Sequence, residues 1–131
     1  MIEISNQRWK FSEYLTDDGV GTITTWLQGL DVDVQARIDA HLLQWASRDK
    51  WTDAYVGKFE SLKGLREIAV LHERSVYRIL GSAISIWEFV MLIGHTDDLR
   101  RNNIPREIKA EANLRLNALR MNPERRREFE D

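Results

Sequence analysis

The apolar positions change period along the chain, and the changes predict its elements. Near the start, Arg8-Trp9-Lys10-Phe11 alternates polar with aromatic, the pattern of a half-buried strand whose successive side chains take opposite faces. Asp17-Asp18-Gly19 reads as a turn, and Thr22 to Leu30 as a short helix ending near Gly29. Asp31 or Asp33 can cap a longer helix in which Val34, Ile38, Leu42 and Trp45 recur at helical spacing, which places them on one face. The middle of the chain then changes period. Leu65 to Leu71, Ser75 to Leu80 and Ile86 to Ile93 are rich in β-branched and aromatic residues at strand length, with His72-Glu73-Arg74 and Gly81-Ser82 as connectors. Three such runs predict an antiparallel meander. The third is apolar on both faces apart from Glu88, as a central strand covered on both sides would be. Pro105 suits a first helical turn, and Ile108, Ala112, Leu116 and Leu119 continue a last helix to about Arg120. Asn122-Pro123 ends it, leaving residues 121–131 as a charged tail, frayed or in a short helical turn. The predicted fold is α+β: two N-terminal helices on a small antiparallel sheet of about four strands, with a C-terminal helix closing the domain.

Composition sharpens this picture at a few points. A chain of 131 residues without a Gly/Ser-rich linker or an internal repeat fits one domain, here taken as 1–131. Apolar residues at 43% suffice for a packed core, which excludes a disordered chain, and the longest apolar stretch is too short to span a bilayer. The start of the chain lacks the basic segment and apolar run of a secretory signal. The chain contains no cysteine, which rules out disulfides, thiolate metal sites and thiol catalysis and fits a cytoplasmic protein. Net charge is −2, but residues 1–99 carry −5 and residues 100–131 carry +3. That basic third can meet phosphate, since attraction follows local potential; it can equally be a solvated helix with mixed charges.

The residues that carry chemistry lie in the second half. Leu62-Lys63-Gly64-Leu65-Arg66-Glu67-Ile68, then Tyr77-Arg78-Ile79-Leu80, then Val90-Met91-Leu92-Ile93-Gly94-His95, and finally Ile104-Pro105-Arg106-Glu107-Ile108 with Ala112 occur in the order found in the RelE/ParE toxin superfamily. The chain resembles the HigB-like, phage-associated branch of that superfamily over about residues 5–120. The resemblance implies a toxin of a type II toxin–antitoxin pair, working without metal or cofactor as a ribosome-dependent mRNA endoribonuclease. Its partners would be mRNA on the ribosome and an antitoxin, a small helix-turn-helix protein, and no membrane. In such an enzyme basic side chains offset the charge that develops as a ribose 2′-hydroxyl attacks phosphate, and arginine suits this by its planar, permanently charged fork.

Carried over by position, Arg78 is the expected phosphate contact, His95 the proton carrier and Arg66 an auxiliary charge, with Lys63, Tyr77, Arg100 and Arg101 holding nucleic acid. Two positions that are usually basic in the branch differ: Ala69 stands where an arginine is expected, and Asp97-Asp98 where paired lysines are common. A second reading therefore stands beside the first, a catalytically inactive binding module of the same fold that docks on a protein, gyrase-inhibitor-like or as a degenerate toxin. Under it Arg78 pairs with Glu67 or Glu88 across neighbouring strands. His95 is then a strand-end residue satisfied by backbone, Asp97-Asp98 a capping turn, and Arg125-Arg126-Arg127 a run neutralised by its flanking acids. Of the five tryptophans most belong to apolar faces, while Trp51 with Tyr55 is the pair expected to be exposed, for stacking or docking.

Overall fold

The computed structural model describes residues 9–47, 56–58, 64–98 and 104–129. In chain order the elements are β1 (Lys10–Tyr14), α1 (Thr22–Gln28), α2 (Val32–Ala46), β2 (Val56–Lys58), β3 (Arg66–His72), β4 (Ser75–Ser85), β5 (Glu88–Asp98), α3 (Arg106–Met121) and β6 (Arg126–Glu128). The α+β class holds. The sheet is larger than expected and mixed: six strands in the order β2-β3-β4-β5-β1-β6, with β1 parallel to β5 and the other pairs antiparallel. Parallel pairing follows from the connection. From β1 the chain reaches β5 only after α1, α2 and β2 to β4, so the two can lie side by side in the same direction, as a crossover allows and a tight hairpin does not.

Both sheet faces are covered, which explains why β5 reads as apolar on both sides. On one face α1 and α2 bury Ile23, Leu27, Val34, Ile38, Leu42 and Trp45 against Phe11, Ile68, Val70, Ile79, Phe89 and Met91. On the other, α3 lays Ala112, Leu116 and Leu119 over Tyr14, Leu65, Leu80, Val90 and Leu92. Each stripe repeats at three or four residues in the helices and at two in the strands, so burial simply follows local geometry.

Three departures from the predicted elements have physical causes. β4 runs through Gly81-Ser82, expected as a connector, and a glycine stands at position 81 because an added Cβ would lie 2.3 Å from the Val90 carbonyl and 2.6 Å from the Phe89 ring. The C-terminal tail forms β6 on the outer edge of β1. Its arginines reach distant acids instead of their neighbours in sequence: Arg125 to Asp17, Arg126 to Glu88, and Arg127 to Glu13. Finally, β5 carries a bulge. Leu80 pairs with Ile93 but Gly81 with Met91, leaving Leu92 as the extra residue. The Leu92 carbonyl accepts from Thr22 Oγ1 at 3.1 Å in one helical layer and from Arg115 Nη1 at 2.7 Å in the other.

The start of α1 is built by β1. No side chain of α1 caps it; instead Glu13, 1% exposed, accepts from the Ile23 and Thr24 amides at 3.0 and 2.8 Å, from Thr24 Oγ1 at 2.6 Å and from Arg127 Nε at 3.0 Å. A carboxylate at a helix N-terminus satisfies the orphan amides and meets the positive end of the dipole.

Candidate functional site

The strand register decides which of the expected site residues can act together. β3 and β4 pair without interruption, with Ala69 opposite Arg78, Val70 opposite Tyr77 and Arg66 opposite Gly81. Successive residues alternate faces, so Arg78 lies on the α3 face with Glu67 and Ala69, while Tyr77 and Arg66 lie on the α1–α2 face. Tyr77 packs there against Trp26, ring centroids 6.5 Å apart. The expected grouping of Tyr77 with Arg78 is therefore corrected, since they stand on opposite sides of the sheet; Arg66 lies on the side of Tyr77, as strand alternation gives for it relative to position 69. Lys63, Arg100 and Arg101, like Trp51 and Tyr55, lie outside the described residues.

His95 does join Arg78. Their backbones are cross-strand partners, and the Leu92 bulge makes this so. Strict alternation from Phe89 and Met91 would have sent residue 95 to the α1–α2 face. The extra residue shifts the phase by one, so that Gly94 faces Trp26 and His95 faces the α3 side. Gly94 must lack a side chain, since a Cβ would fall 2.2 Å from the Trp26 ring.

The resulting cluster contains Glu67, Arg78, His95 and Asp97. Arg78 Nη1 donates to Glu67 Oε2 in a diagonal cross-strand ion pair, and the two side chains are only 11% and 14% exposed. Sequence reasoning held this pairing open, and Glu67 is the partner. Glu88 is engaged elsewhere, by Ser12 Oγ at 2.7 Å and Arg126 Nε at 2.8 Å. Burial pushes the Glu88 carboxyl up, but the Arg126 and Ser12 hydrogen bonds with the charges of Arg126 and Lys10 outweigh it and hold the group below its ordinary value. Asp97 belongs to β5 and not to a capping turn; its Oδ1 accepts from the Asp98 amide at 2.8 Å. Its Oδ2 is buried without a hydrogen bond, and His95 Nε2 stands 3.9 Å away.

No family model, curated protein or solved structure matches the chain. The site must therefore be read from its own chemistry.

Among the described residues Glu67 pairs with Arg78, and Asp97 lies by His95. A phosphate approaching Arg78 would have to displace the Glu67 carboxylate. That step is opposed by like charge in a partly desolvated setting, where Coulomb terms exceed their value in water. The arrangement can hold a structural ion pair, with an imidazole beside a carboxylate at its edge. Among the described residues no group of three His, Asp or Glu side chains can hold a metal ion, and no helix is long and apolar enough to cross a membrane.

The other histidines are peripheral to this cluster. His72 Nε2 lies 3.6 Å from Asp33 Oδ2, and His41 is held below its ordinary value by burial and then by the charge of Arg37. The sequence reading held the Glu67–Arg78 pairing as one alternative and found acids at 97–98 where lysines are common; what it missed was the Leu92 bulge, for which local alternation gives no signal.

Proposed function

We propose that this chain is a RelE/HigB-like toxin-type protein of a type II toxin–antitoxin pair that acts in the cytoplasm by docking on a protein target, without cutting RNA. The family part of the reading is supported by the four ordered motifs and by an α+β architecture with two helices before the meander and one after it. The choice of docking over cleavage is supported by one observation above all: the Arg78 guanidinium is buried in an ion pair with Glu67. An arginine that binds phosphate must offer its fork to the substrate, and this one gives its Nη1 to Glu67. The antitoxin would be a small helix-turn-helix protein.

The test is expression in a bacterial host, with growth and transcript 5′ ends followed together. The expected result is growth arrest with intact transcripts, unchanged by His95→Ala and relieved by co-expression of the small helix-turn-helix protein of a neighbouring reading frame. Transcript cuts that disappear in His95→Ala, a substitution at a half-buried position, would overturn the docking reading in favour of a ribosome-dependent endoribonuclease. No arrest at any expression level would remove the toxin reading itself.

A further inference from the structure

The edge strand β6 and the strand it covers are unequal partners. Register sets Arg126 opposite Tyr14, Arg127 opposite Glu13 and Glu128 opposite Ser12. The ladder continues through the Leu15 amide to the Arg125 carbonyl and the Phe129 amide to the Phe11 carbonyl. Adjacent strand residues take opposite faces, so the two arginines of β6 reach carboxylates on opposite sides of the sheet. Arg127 Nε donates to Glu13 Oε2 at 3.0 Å. Arg126 donates side-on to Glu88, Nε to Oε2 at 2.8 Å and Nη2 to Oε1 at 3.4 Å. Phe129 follows on the side of Arg127 and packs, partly buried, against the core under α1 and α2.

The receiving side is held in place by contacts that do not involve β6. Ser12, Glu13 and Glu88 are buried; Glu13 is fixed by the Ile23 and Thr24 amides, and Glu88 by Ser12 Oγ. The strand that covers them has no buried residue. The Arg127 side chain is 49% exposed, Glu128 is exposed, and so is the whole segment from Met121 to Glu124 that leads into β6. A cleft of about 450 Å³ runs along the seam, between Lys10, Ser12 and Glu88 on one side and Pro123, Arg126 and Glu128 on the other, so β6 does not close tightly over the edge. Exposed ion pairs contribute little to stability, and segments with few buried apolar contacts open locally at a fraction of the cost of global unfolding. Opening β6 leaves a row of unpaired backbone groups on β1, flanked by two carboxylates already set in position.

We infer that the outer edge of β1 is a recognition site for an extended segment of a partner protein with the pattern arginine, arginine, any residue, aromatic, and that β6 occupies this site within the chain until the partner strand replaces it. Strand addition takes its affinity from main-chain hydrogen bonds and its specificity from side chains that alternate between the faces. Arginine is required over lysine at the first position, because its planar fork meets both oxygens of Glu88. The carboxylates are ordered beforehand, which lowers the cost of binding. A second copy of this chain is not the occupant. Its tail already engages its own Glu13 and Glu88, so exchange between copies gains no contact and loses translational freedom. The site shares no residue with the Arg78 cluster, and the inference does not rest on the toxin reading.

The test uses the full chain, as the parent and as the double variant Arg126→Glu with Arg127→Glu, whose own tail is repelled by Glu88 and Glu13. Two fluorescent peptides serve as probes. One has the sequence of residues 123–129, and the other carries lysine at the positions of Arg126 and Arg127, so that charge is equal. The first peptide is expected to bind the double variant at least tenfold more tightly than the parent, where the attached tail competes at high effective concentration. It should also bind the variant at least fivefold more tightly than the lysine peptide does. Equal binding of the two peptides, or equal binding to parent and variant, would overturn the inference. Hydrogen exchange on the parent is independent of how the variant folds. The Leu15 and Phe129 amides should exchange at least a hundredfold faster than the amides of β4 and β5, and equal protection would overturn the inference as well. The parent should sediment as a monomer at all concentrations; a dimer that the double variant fails to form would overturn the choice of partner in favour of a second copy.

Discussion

If Arg78 is a structural cation and not a substrate contact, removing it must cost stability in a way that Glu67 can explain. The two side chains are 11% and 14% exposed, so the pair is largely desolvated and solvent screening lowers its energy little. Removing one partner leaves the other buried and uncompensated, a loss of about 3 kcal/mol. Arg78→Met and Glu67→Leu are each expected to destabilise by roughly that amount, or about 10 °C in melting temperature for a domain of this length. Replacing both removes the charge together with its partner, so the double variant should lie within about 1 kcal/mol of the parent. The resulting coupling energy is about 5 kcal/mol, the sum of the two single losses less that of the double. Urea denaturation followed by circular dichroism measures all four proteins in one cycle. An arginine held open for phosphate predicts the opposite, a single substitution that is neutral or stabilising and does not couple to Glu67. Singles costing under about 1 kcal/mol with no coupling would refute the reasoning and return Arg78 to the substrate.

Other expectations follow from the same contacts. Glu13→Gln replaces one of two accepting carboxylate oxygens by an NH2 donor and removes the charge facing Arg127, and should cost about 2–3 kcal/mol in urea denaturation. Arg127→Ala, whose side chain is 49% exposed, should cost about 1 kcal/mol or less in the same assay. Glu88 is held below its ordinary value of 4.5, so its contribution is complete above that pH and is lost as pH falls through the lower folded value. The depressed His41 adds the same sign of dependence as pH falls below 6.5. Stability measured against pH should therefore decline toward acid, and Glu88→Gln should flatten the decline below about pH 4.5. Gly94→Ala drives a Cβ into the Trp26 ring and should destabilise by about 1–3 kcal/mol, with a shift in tryptophan emission as its direct readout.

Elements with enough residues to show a period were legible. The Val34-Ile38-Leu42-Trp45 stripe and the Ile108-Ala112-Leu116-Leu119 stripe lie in α2 and α3, with all but the half-buried Ile108 in the core. The meander strands β3, β4 and β5 overlap their predicted runs. The three-residue strands β2 and β6 were not legible, because three positions carry no periodicity and β6 is held by Asp17, Glu88 and Glu13, remote acids that local reading cannot pair. Of the candidate site, Arg78 and His95 are cross-strand partners, a juxtaposition that depends on the Leu92 bulge. The failure concerned Tyr77, since neighbouring strand residues point to opposite faces and the pair could never have shared a hollow.

The bulge at Leu92 ties these points together. Without it, the phase of β5 set by Phe89 and Met91 would continue, placing Ile93, His95 and Asp97 toward α1 and α2 and Gly94 toward α3. Trp26 would then lose the glycine over which its ring sits, and Asp97 would be carried from the neighbourhood of Arg78 into an apolar layer containing Tyr77 and Ile79. One inserted residue thus does two things at once: it opens space for an indole on one face and gathers the charged cluster on the other. The Leu92 carbonyl, gripped by Thr22 from α1 and Arg115 from α3, joins both helical layers to this phase. A register that both layers enforce leaves β5 little freedom to turn its charged residues over. The placing of Glu67, Arg78, His95 and Asp97 on one face is therefore a property of the strand register, set by the backbone as much as by the ion pair.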